Sequence, residues 1–496
     1  MKGRFFSRLA LPLLLVLAVA VGVGCKQKAP NAPAPKATAP KAAAHPPVAD
    51  ANAPNILLIS IDALRADRLS CYGLDRPTSP NVDALAAEAT RFAHAHANAP
   101  WTLPSHATML TGQEVGVHGM DHGSVTLNPT AATLATALRA RGYATAGVVT
   151  APYLQSSWGF NHGFDSYDDG LAAPDYETSH HLKTAELAVN RALEAVRERH
   201  GKPWFVFLHL FDVHHDYVPP PAFRKLFVDP SYHGHFDVTN WEGNFGVHVG
   251  MDPADFAYVL AQYDGGVAWV DSQLGRLFAG LKADGEWART AVIFTADHGD
   301  EFLEHGNHGH GQNLFDELLH VPLIVKAPNL GDTNRVQQNT IETPVSLVDI
   351  FATVLEWGGA SLADYRGSGQ SFLPLLRGAA GAAHNSDRAL FAETNFARIA
   401  PGGTRGHEAM VEKGGWKYVE RRDAPGRRLL FHVTVDPGDR VDRLANEPAK
   451  AAELQALLAD HLRANHAMRE DLKMARAQPV DAKTAEQLKQ LGYVNN

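Results

Sequence analysis

The chain is nearly without cysteine: two residues in 496, Cys25 and Cys71. That excludes a disulfide-stapled fold, so stability must come from a buried core, and a chain of this length is long enough to build a large one. It also lacks a strong excess of either charge. Lys plus Arg number 45 against 54 for Asp plus Glu, a net charge of −9 with neutral histidine, which argues against nucleic acid as a partner. Long apolar runs are missing too. The longest, Leu9 to Val23, is too short for a comfortable membrane span.

What is present at the N-terminus reads as an address. Lys2, Arg4 and Arg8 precede the apolar run, which ends in Gly22-Val23-Gly24-Cys25. This resembles a bacterial lipoprotein signal, in which the cysteine is lipidated and begins the mature chain, although Gly22 stands where that signal usually has a large aliphatic residue. The expectation is a signal peptide over 1–24 and an Ala/Pro/Lys-rich tether over 25–54, too poor in apolar residues to order itself. Lipid on Cys25 would then hold an exported protein to a membrane of the bacterial envelope. Cys71, left alone, is expected to be a small buried hydrophobe.

Beyond the tether, strand and helix patterns alternate. Asn55-Ile56-Leu57-Leu58-Ile59-Ser60-Ile61 suits a strand buried on both faces, and it delivers Asp62 to its C-terminal end. Helices are expected over Asn81 to Thr90, Thr130 to Arg141, Thr178 to His200 and Asp255 to Asp284. Strands are expected over Ala144 to Val149, Pro203 to Leu210, Thr290 to Ala296 and Val321 to Lys326. The insertion Pro219 to Pro253 is expected to cover the mouth of a site. Such alternation predicts an α/β fold with a doubly wound, mostly parallel sheet, which places ligands at the C-terminal ends of its strands.

Three stretches carry the chemistry. Trp101-Thr102-Leu103-Pro104-Ser105-His106 reads as a turn opening a helix. Thr102 is either a helix cap or a hydroxyl poised where free N–H groups and the helix dipole favour an anion. Asp297-His298 ends an apolar strand, and a carboxylate beside an imidazole suits a divalent metal. Glu304-His305-Gly306-Asn307-His308-Gly309-His310-Gly311 is a glycine-histidine loop able to turn several imidazoles inward.

Together, Ile61-Asp62-Ala63-Leu64-Arg65-Ala66-Asp67, Thr102-Leu103-Pro104-Ser105-His106 through Leu110-Thr111-Gly112, Thr295-Ala296-Asp297-His298-Gly299 and His310-Gly311 before Val321-Pro322-Leu323-Ile324-Val325 resemble, in order and spacing, the sulfatase family of the alkaline-phosphatase-like superfamily. The resemblance covers nearly all of the chain from Asn55 to Val494. It implies that Asp62, Asp297 and His298 bind one divalent cation (Ca, Mg, Mn or Zn) with the nucleophile, and that His214 and His310 lie around the anion to bind oxygen or protonate a leaving group. His106, where the family signature has arginine, and His308 are expected to contact substrate.

The departures from the family are as informative. Sulfatases place Cys or Ser at the nucleophile and oxidise it to formylglycine; threonine, here Thr102, cannot give that aldehyde. The second acid of the usual Asp-Asp pair is Ala63, and Ala146 to Pro152 replaces the family's Gly-Lys-Trp-His-Leu-Gly element. Related phosphotransferases use a metal-bound threonine with a similar ligand set. The expected activity is therefore metal-dependent hydrolysis of sulfate or phosphate (di)esters through Thr102; the alternatives are a phosphoryl transferase and a catalytically silent binding protein. A catalytic domain over 55–380 and a smaller antiparallel sheet-plus-helix domain over 387–496 complete the expectation.

Overall fold

A computed structural model describes residues 53–121, 125–172, 184–238, 246–328, 340–363, 365–378, 387–395, 406–422 and 426–472. The expected signal peptide with Cys25, the tether up to residue 52 and residues 473–496 of the expected C-terminal domain lie outside the described residues.

The core is an eight-stranded sheet: β1 (Asn55–Ile61), β2 (Thr90–Phe92), β3 (Ala144–Val148), β4 (Ser166–Asp168), β5 (Trp204–Leu210), β6 (Thr290–Ala296), β7 (Leu323–Lys326) and β8 (Thr340–Ile341). The spatial order is β8-β2-β7-β6-β1-β5-β3-β4. Only β7 runs against its neighbours, antiparallel to both β6 and β2. Every residue of β1, β5 and β6 is buried. That is why these strands read as continuous apolar runs rather than alternating ones: helices cover both faces of a parallel sheet.

Register places the site. Ile61 pairs with Leu210 on one side and with Ala296 on the other, so the three central strands end level. Asp62, Phe211 and Asp297 are the next residues, side by side on the C-terminal edge, where an open α/β sheet leaves room for a ligand. The main-chain N–H of Asp62 bonds to the Leu210 carbonyl at 2.9 Å and continues the ladder one step beyond the strand.

The helices that bear on the site are α1 (Pro80–Ala87), α2 (Thr102–Thr111), α3 (Leu134–Ala140), α4 (Ala185–Glu198), α5 (Pro253–Ala283) and α6 (Val348–Trp357). The 31-residue α5 starts on Asp252, whose side chain accepts from the Ala254 N–H, with proline in the first turn. It buries Tyr263, Val267, Val270, Leu274, Leu277, Phe278 and Leu281 at helical spacing, as the pattern predicted. The described part of the 219–253 insertion lies along the first turns of α5: the Gln262 amide donates to the Arg224 carbonyl at 2.9 Å, and Tyr232 stacks on Tyr258.

Cys71 is half-buried, not fully. Burial and the neighbouring Asp83 push its thiol up to about 12, so it remains an unreactive thiol that packs against the core.

The C-terminal part is a four-stranded antiparallel sheet, β9 (Leu390–Thr394), β10 (Glu408–Lys413), β11 (Trp416–Arg421) and β12 (Arg428–Phe431), in sequential order. The helix α7 (Pro448–Asp471) packs on it through Ala451, Leu454 and Leu458, against Ala409, Val411, Tyr418 and Leu430. The small residues at 409 and 451 admit a helix close to the sheet. No helix among the described residues is long and apolar enough to cross a membrane.

Candidate active site

Thr102 is the first residue of α2. Trp101 is the extended residue ahead of the helix, with no side-chain capping bond. The capping reading of Thr102 is thereby corrected: at this position its hydroxyl points off the helix end and does not satisfy a first-turn N–H. Thr102 Oγ1 lies 3.5 Å from Asp62 Oδ2, to which it donates, and 3.5 Å from His298 Nε2. Thr102 is 4 % exposed, whereas Asp62, Asp297 and His298 are fully buried. The hydroxyl therefore stands at the outer side of the cluster, at the positive end of α2.

The three residues expected to bind metal converge. His298 Nε2 is 3.5 Å from Asp62 Oδ1 and 3.3 Å from Asp297 Oδ2. Each is held by its unused atoms. Asp297 Oδ1 accepts the main-chain N–H groups of Ala63 (3.2 Å) and His298 (3.0 Å). His298 Nδ1 donates to the Gly299 carbonyl at 2.8 Å, which leaves the Nε2 lone pair facing the two acids.

Their electrostatics fit a divalent cation. Asp62 Oδ1 and Asp297 Oδ2 are buried without a hydrogen-bond partner, an arrangement that is costly unless something positive lies between them. Burial pushes the Asp62 carboxyl up to about 7, with His298 opposing and Asp300 adding. Burial and then Asp62 raise Asp297 in the same way. Burial works against charge on His298, but Asp297 and Asp62 outweigh it and raise the imidazole. Two carboxylates and one imidazole with donor atoms all within 4.8 Å make a compact oxygen-nitrogen donor set.

His310 stands at the outer edge of this cluster, with its ring 4.3 Å from that of His298 and its Nδ1 2.6 Å from Asp300 Oδ1. His214 lies beyond it, ring to ring at 4.8 Å, with Nδ1 donating to the His215 carbonyl at 2.6 Å. His214, His215 and His310 form a second group with donor atoms within 4.8 Å. The loop that carries His310 is folded around the buried Glu301. Its carboxylate accepts the N–H groups of His305 and Asn307 and the side-chain amides of Gln312 and Asn313.

His308 is buried at the base of this loop, in edge contact with Tyr217 and 3.5 Å from its hydroxyl; Tyr217 in turn donates to Asp300 Oδ2 at 2.6 Å. His305 turns the other way, to Glu317 and the Asp439 carbonyl. His106 requires a correction. It is fully buried behind Thr102, with Nδ1 donating to the Thr102 carbonyl at 2.9 Å and Nε2 2.9 Å from the Ser60 hydroxyl. Burial, helped by His209, pushes it down to about 4. A neutral, enclosed imidazole with both nitrogens engaged holds the start of α2 and does not meet substrate.

Three participants escaped the sequence reading. His209 of β5 is fully buried, 3.3 Å from Asp62 Oδ2 through Nε2, and burial pushes it down to about 4 against the pull of Asp297. A histidine within the apolar run Trp204–Leu210 was its signal. Asp300, two residues past His298, orients His310. Ala63, where the family has an acid, acts through its main chain: its φ is +56°, its N–H bonds Asp297, and its carbonyl accepts from the Tyr263 hydroxyl at 2.7 Å. Within Ala146 to Pro152, Thr150 ties two strand ends together: its hydroxyl donates to the His209 carbonyl and accepts from the Phe211 N–H.

This geometry agrees with comparison to known proteins. The Sulfatase family model matches residues 54–360. The chain belongs to the sulfatase family. A multifunctional alkaline phosphatase superfamily protein, PehA of Trinickia caryophylli, is 25 % identical, with 80 % of this chain and 92 % of that protein covered. Mouse steryl-sulfatase is 25 % identical over 78 % of each chain. Among solved structures, the phosphonate monoester hydrolase of Agrobacterium radiobacter superposes with a TM-score of 0.67 at 25 % identity, covering 83 % of this chain and 96 % of that one. As a member of the sulfatase family the chain is a sulfuric or phosphoric ester hydrolase.

Proposed function

We propose that this sulfatase-family protein cleaves phosphate or sulfate esters through Thr102 as a covalent nucleophile, with a single divalent cation held by Asp62, Asp297 and His298. The observation that carries this reading is the Thr102 hydroxyl, at 3.5 Å from both Asp62 and His298 and on the outer side of the cluster. A cation there would neutralise the buried acids, lower the pKa of the attacking hydroxyl and draw the anionic ester in.

The chain's own residues supply the rest. Asp62 accepts the hydroxyl proton. Thr102 Oγ1 forms a bond to phosphorus or sulfur while the ester oxygen leaves. His310, oriented by Asp300, or His214 behind it, gives the leaving oxygen its proton. In the first turn of α2 Pro104 brings no N–H and the Ser105 N–H bonds to the Trp101 carbonyl, so Thr102 and Leu103 are the main-chain donors left to meet the non-bridging oxygens. Water then attacks the same centre and gives a proton back to that histidine, the bond to Thr102 Oγ1 breaks, and Asp62 returns its proton to the threonine hydroxyl. Phosphorus is favoured over sulfur, because a sulfo-threonine lacks the hemiacetal route by which formylglycine expels sulfate. The similarity to a phosphonate monoester hydrolase supports the same direction. The mixed oxygen-nitrogen donor set favours manganese or zinc over calcium. The signal-like N-terminus with Cys25 supports export and lipid attachment to an envelope membrane.

The test is a screen of the full chain, in detergent, against aryl sulfate, phosphate monoester, phosphodiester and phosphonate ester with Ca, Mg, Mn and Zn. Cleavage of phosphodiester or phosphonate that Thr102→Ala abolishes is the expected result. Cleavage of sulfate alone would overturn the preference for phosphorus, and silence in every arm would favour a transferase or a binding protein.

A further inference from the structure

Tyr217 lies past β5, on the loop that also carries His214, yet its hydroxyl reaches the segment beyond β6. It donates to Asp300 Oδ2 at 2.6 Å, while Asp300 Oδ1 accepts from His310 Nδ1 at 2.6 Å. One carboxylate thus joins a phenol and an imidazole from two different loops, each on its own oxygen. All three side chains are buried, where short bonds to a carboxylate are strong and directional.

Asp300 is left little freedom. Its main-chain carbonyl also accepts from Arg65 Nη1 at 2.9 Å, so the backbone and both carboxylate oxygens are held. The hold matters because Asp300 stands close to the cation cluster: it offers a donor atom within 4.8 Å of those of His298 and His310. A carboxylate bound only to His310 could rotate toward a cation there, and the Tyr217 hydroxyl opposes that rotation. The ring of Tyr217 meets Tyr263 and His308 edge-on and Phe302 at a tilt, so packing fixes where its oxygen sits. Burial, and then Asp300, hold the phenol well above its ordinary range, so it keeps its proton and acts as a donor.

We propose that Tyr217 is a positioning residue which, through Asp300, makes His310 rather than His214 the acid of ester cleavage. The inference rests on the reading of Thr102 as nucleophile. With Nδ1–H bound to Asp300, Nε2 is the nitrogen of His310 that faces the leaving oxygen. The Nε2 proton passes to that oxygen as its bond to phosphorus or sulfur breaks. Nδ1 keeps its proton, Asp300 stays a carboxylate, and the attacking water later restores the proton on Nε2. His214 Nδ1 donates instead to the His215 carbonyl, a neutral acceptor that supports a protonated ring less than a carboxylate does.

The test compares two methyl phosphodiesters on the full chain in detergent. A dinitrophenyl leaving group departs without a proton; a phenyl leaving group needs one. Tyr217→Phe keeps the packed ring and removes only the hydroxyl, and Asp300→Asn repeats the test from the carboxylate. The expected kcat for the phenyl ester falls at least about 10-fold in Tyr217→Phe and about 10²-fold in Asp300→Asn, with a far smaller loss for the dinitrophenyl ester in both. His214→Gln is expected to lower both esters alike. Equal losses on the two esters in Tyr217→Phe, as a merely structural role would give, no loss on the phenyl ester, or a loss confined to the phenyl ester in His214→Gln would each overturn the proposal and leave Thr102 untouched. Thr102→Ala is expected to be silent on both esters; activity there, or a parent inactive on both, would overturn the reading of Thr102 and this inference with it.

Discussion

The main-chain N–H of Ala63 donates to Asp297 Oδ1 at 3.2 Å. That bond joins the ends of two neighbouring strands and turns Asp297 Oδ2 toward Asp62 and His298. It exists because Ala63 adopts φ +56°, a left-handed conformation that costs an alanine about 1 kcal/mol, secured by Tyr263 at the Ala63 carbonyl.

Substitution at Ala63 should therefore separate backbone from side chain. Ala63→Gly keeps the conformation without strain and is expected to preserve both metal binding and activity. Ala63→Val cannot hold a positive φ and is expected to lower stability by roughly 2 kcal/mol and to weaken metal binding. Chemical denaturation and metal titration of the two variants check this; equal behaviour would show that the bond to Asp297 is incidental.

His209 packs beside Asp62, with Nε2 3.3 Å from Oδ2 and no hydrogen bond formed. The neutral ring limits where the carboxylate can sit without touching substrate. His209→Leu is expected to reduce metal affinity about 10-fold, while His209→Gln, which keeps a polar group beside Asp62, recovers part of the loss. Metal titration by calorimetry reads this directly, and unchanged affinity in His209→Leu would remove His209 from the site.

Chelation should stop turnover and also destabilise the fold. Without a cation the buried acids keep oxygens that lack partners. Treatment with EDTA is expected to lower Tm and abolish hydrolysis, with both restored by manganese or zinc. Full activity after exhaustive dialysis against chelator would contradict a metal-dependent site.

Acid should loosen the protein through histidines far from the metal. His118 lies at the end of the short helix Val115–His118; its Nδ1 accepts the Met120 N–H and its Nε2 lies 3.0 Å from the Thr108 hydroxyl. Burial, with Arg469 adding, pushes its imidazole from 6.5 down to about 3. A depressed folded value means that the stabilisation is complete above about pH 6.5 and is lost as pH falls toward 3. Between pH 6.5 and 5 this one group should cost roughly 2 kcal/mol. Denaturant titrations at the two pH values are expected to show a smaller loss in His118→Gln than in the parent; equal losses would show that His118 does not stay neutral.

Much of the site was legible because strand and helix ends are local features. An apolar run closing on Asp62, another closing on Asp297-His298, and a helix opening at Thr102 each carry their own signal, and the parallel sheet brings such ends together by rule. His209 was not legible for the opposite reason. Its partner is Asp62, 147 positions earlier in the chain, and only the register Ile61 to Leu210 makes them neighbours. His106 was misread because a family pattern fixes a position along a helix, whereas the i to i+4 geometry decides that this ring folds back onto the Thr102 carbonyl. The C-terminal sheet was legible from its turns. The role of Ala63 was not, since a main-chain N–H has no side-chain signature.

The central claim is that Thr102 is the covalent nucleophile. The most direct measurement is the stereochemical course of hydrolysis of a chiral phosphorothioate diester in isotopically labelled water. Attack by Thr102 followed by attack by water inverts phosphorus twice, so the account predicts net retention, with activity lost at least about 10³-fold in Thr102→Ala. Net inversion, or turnover by Thr102→Ala at the parent rate, would mean that water attacks directly and that Thr102 is no more than the first residue of its helix.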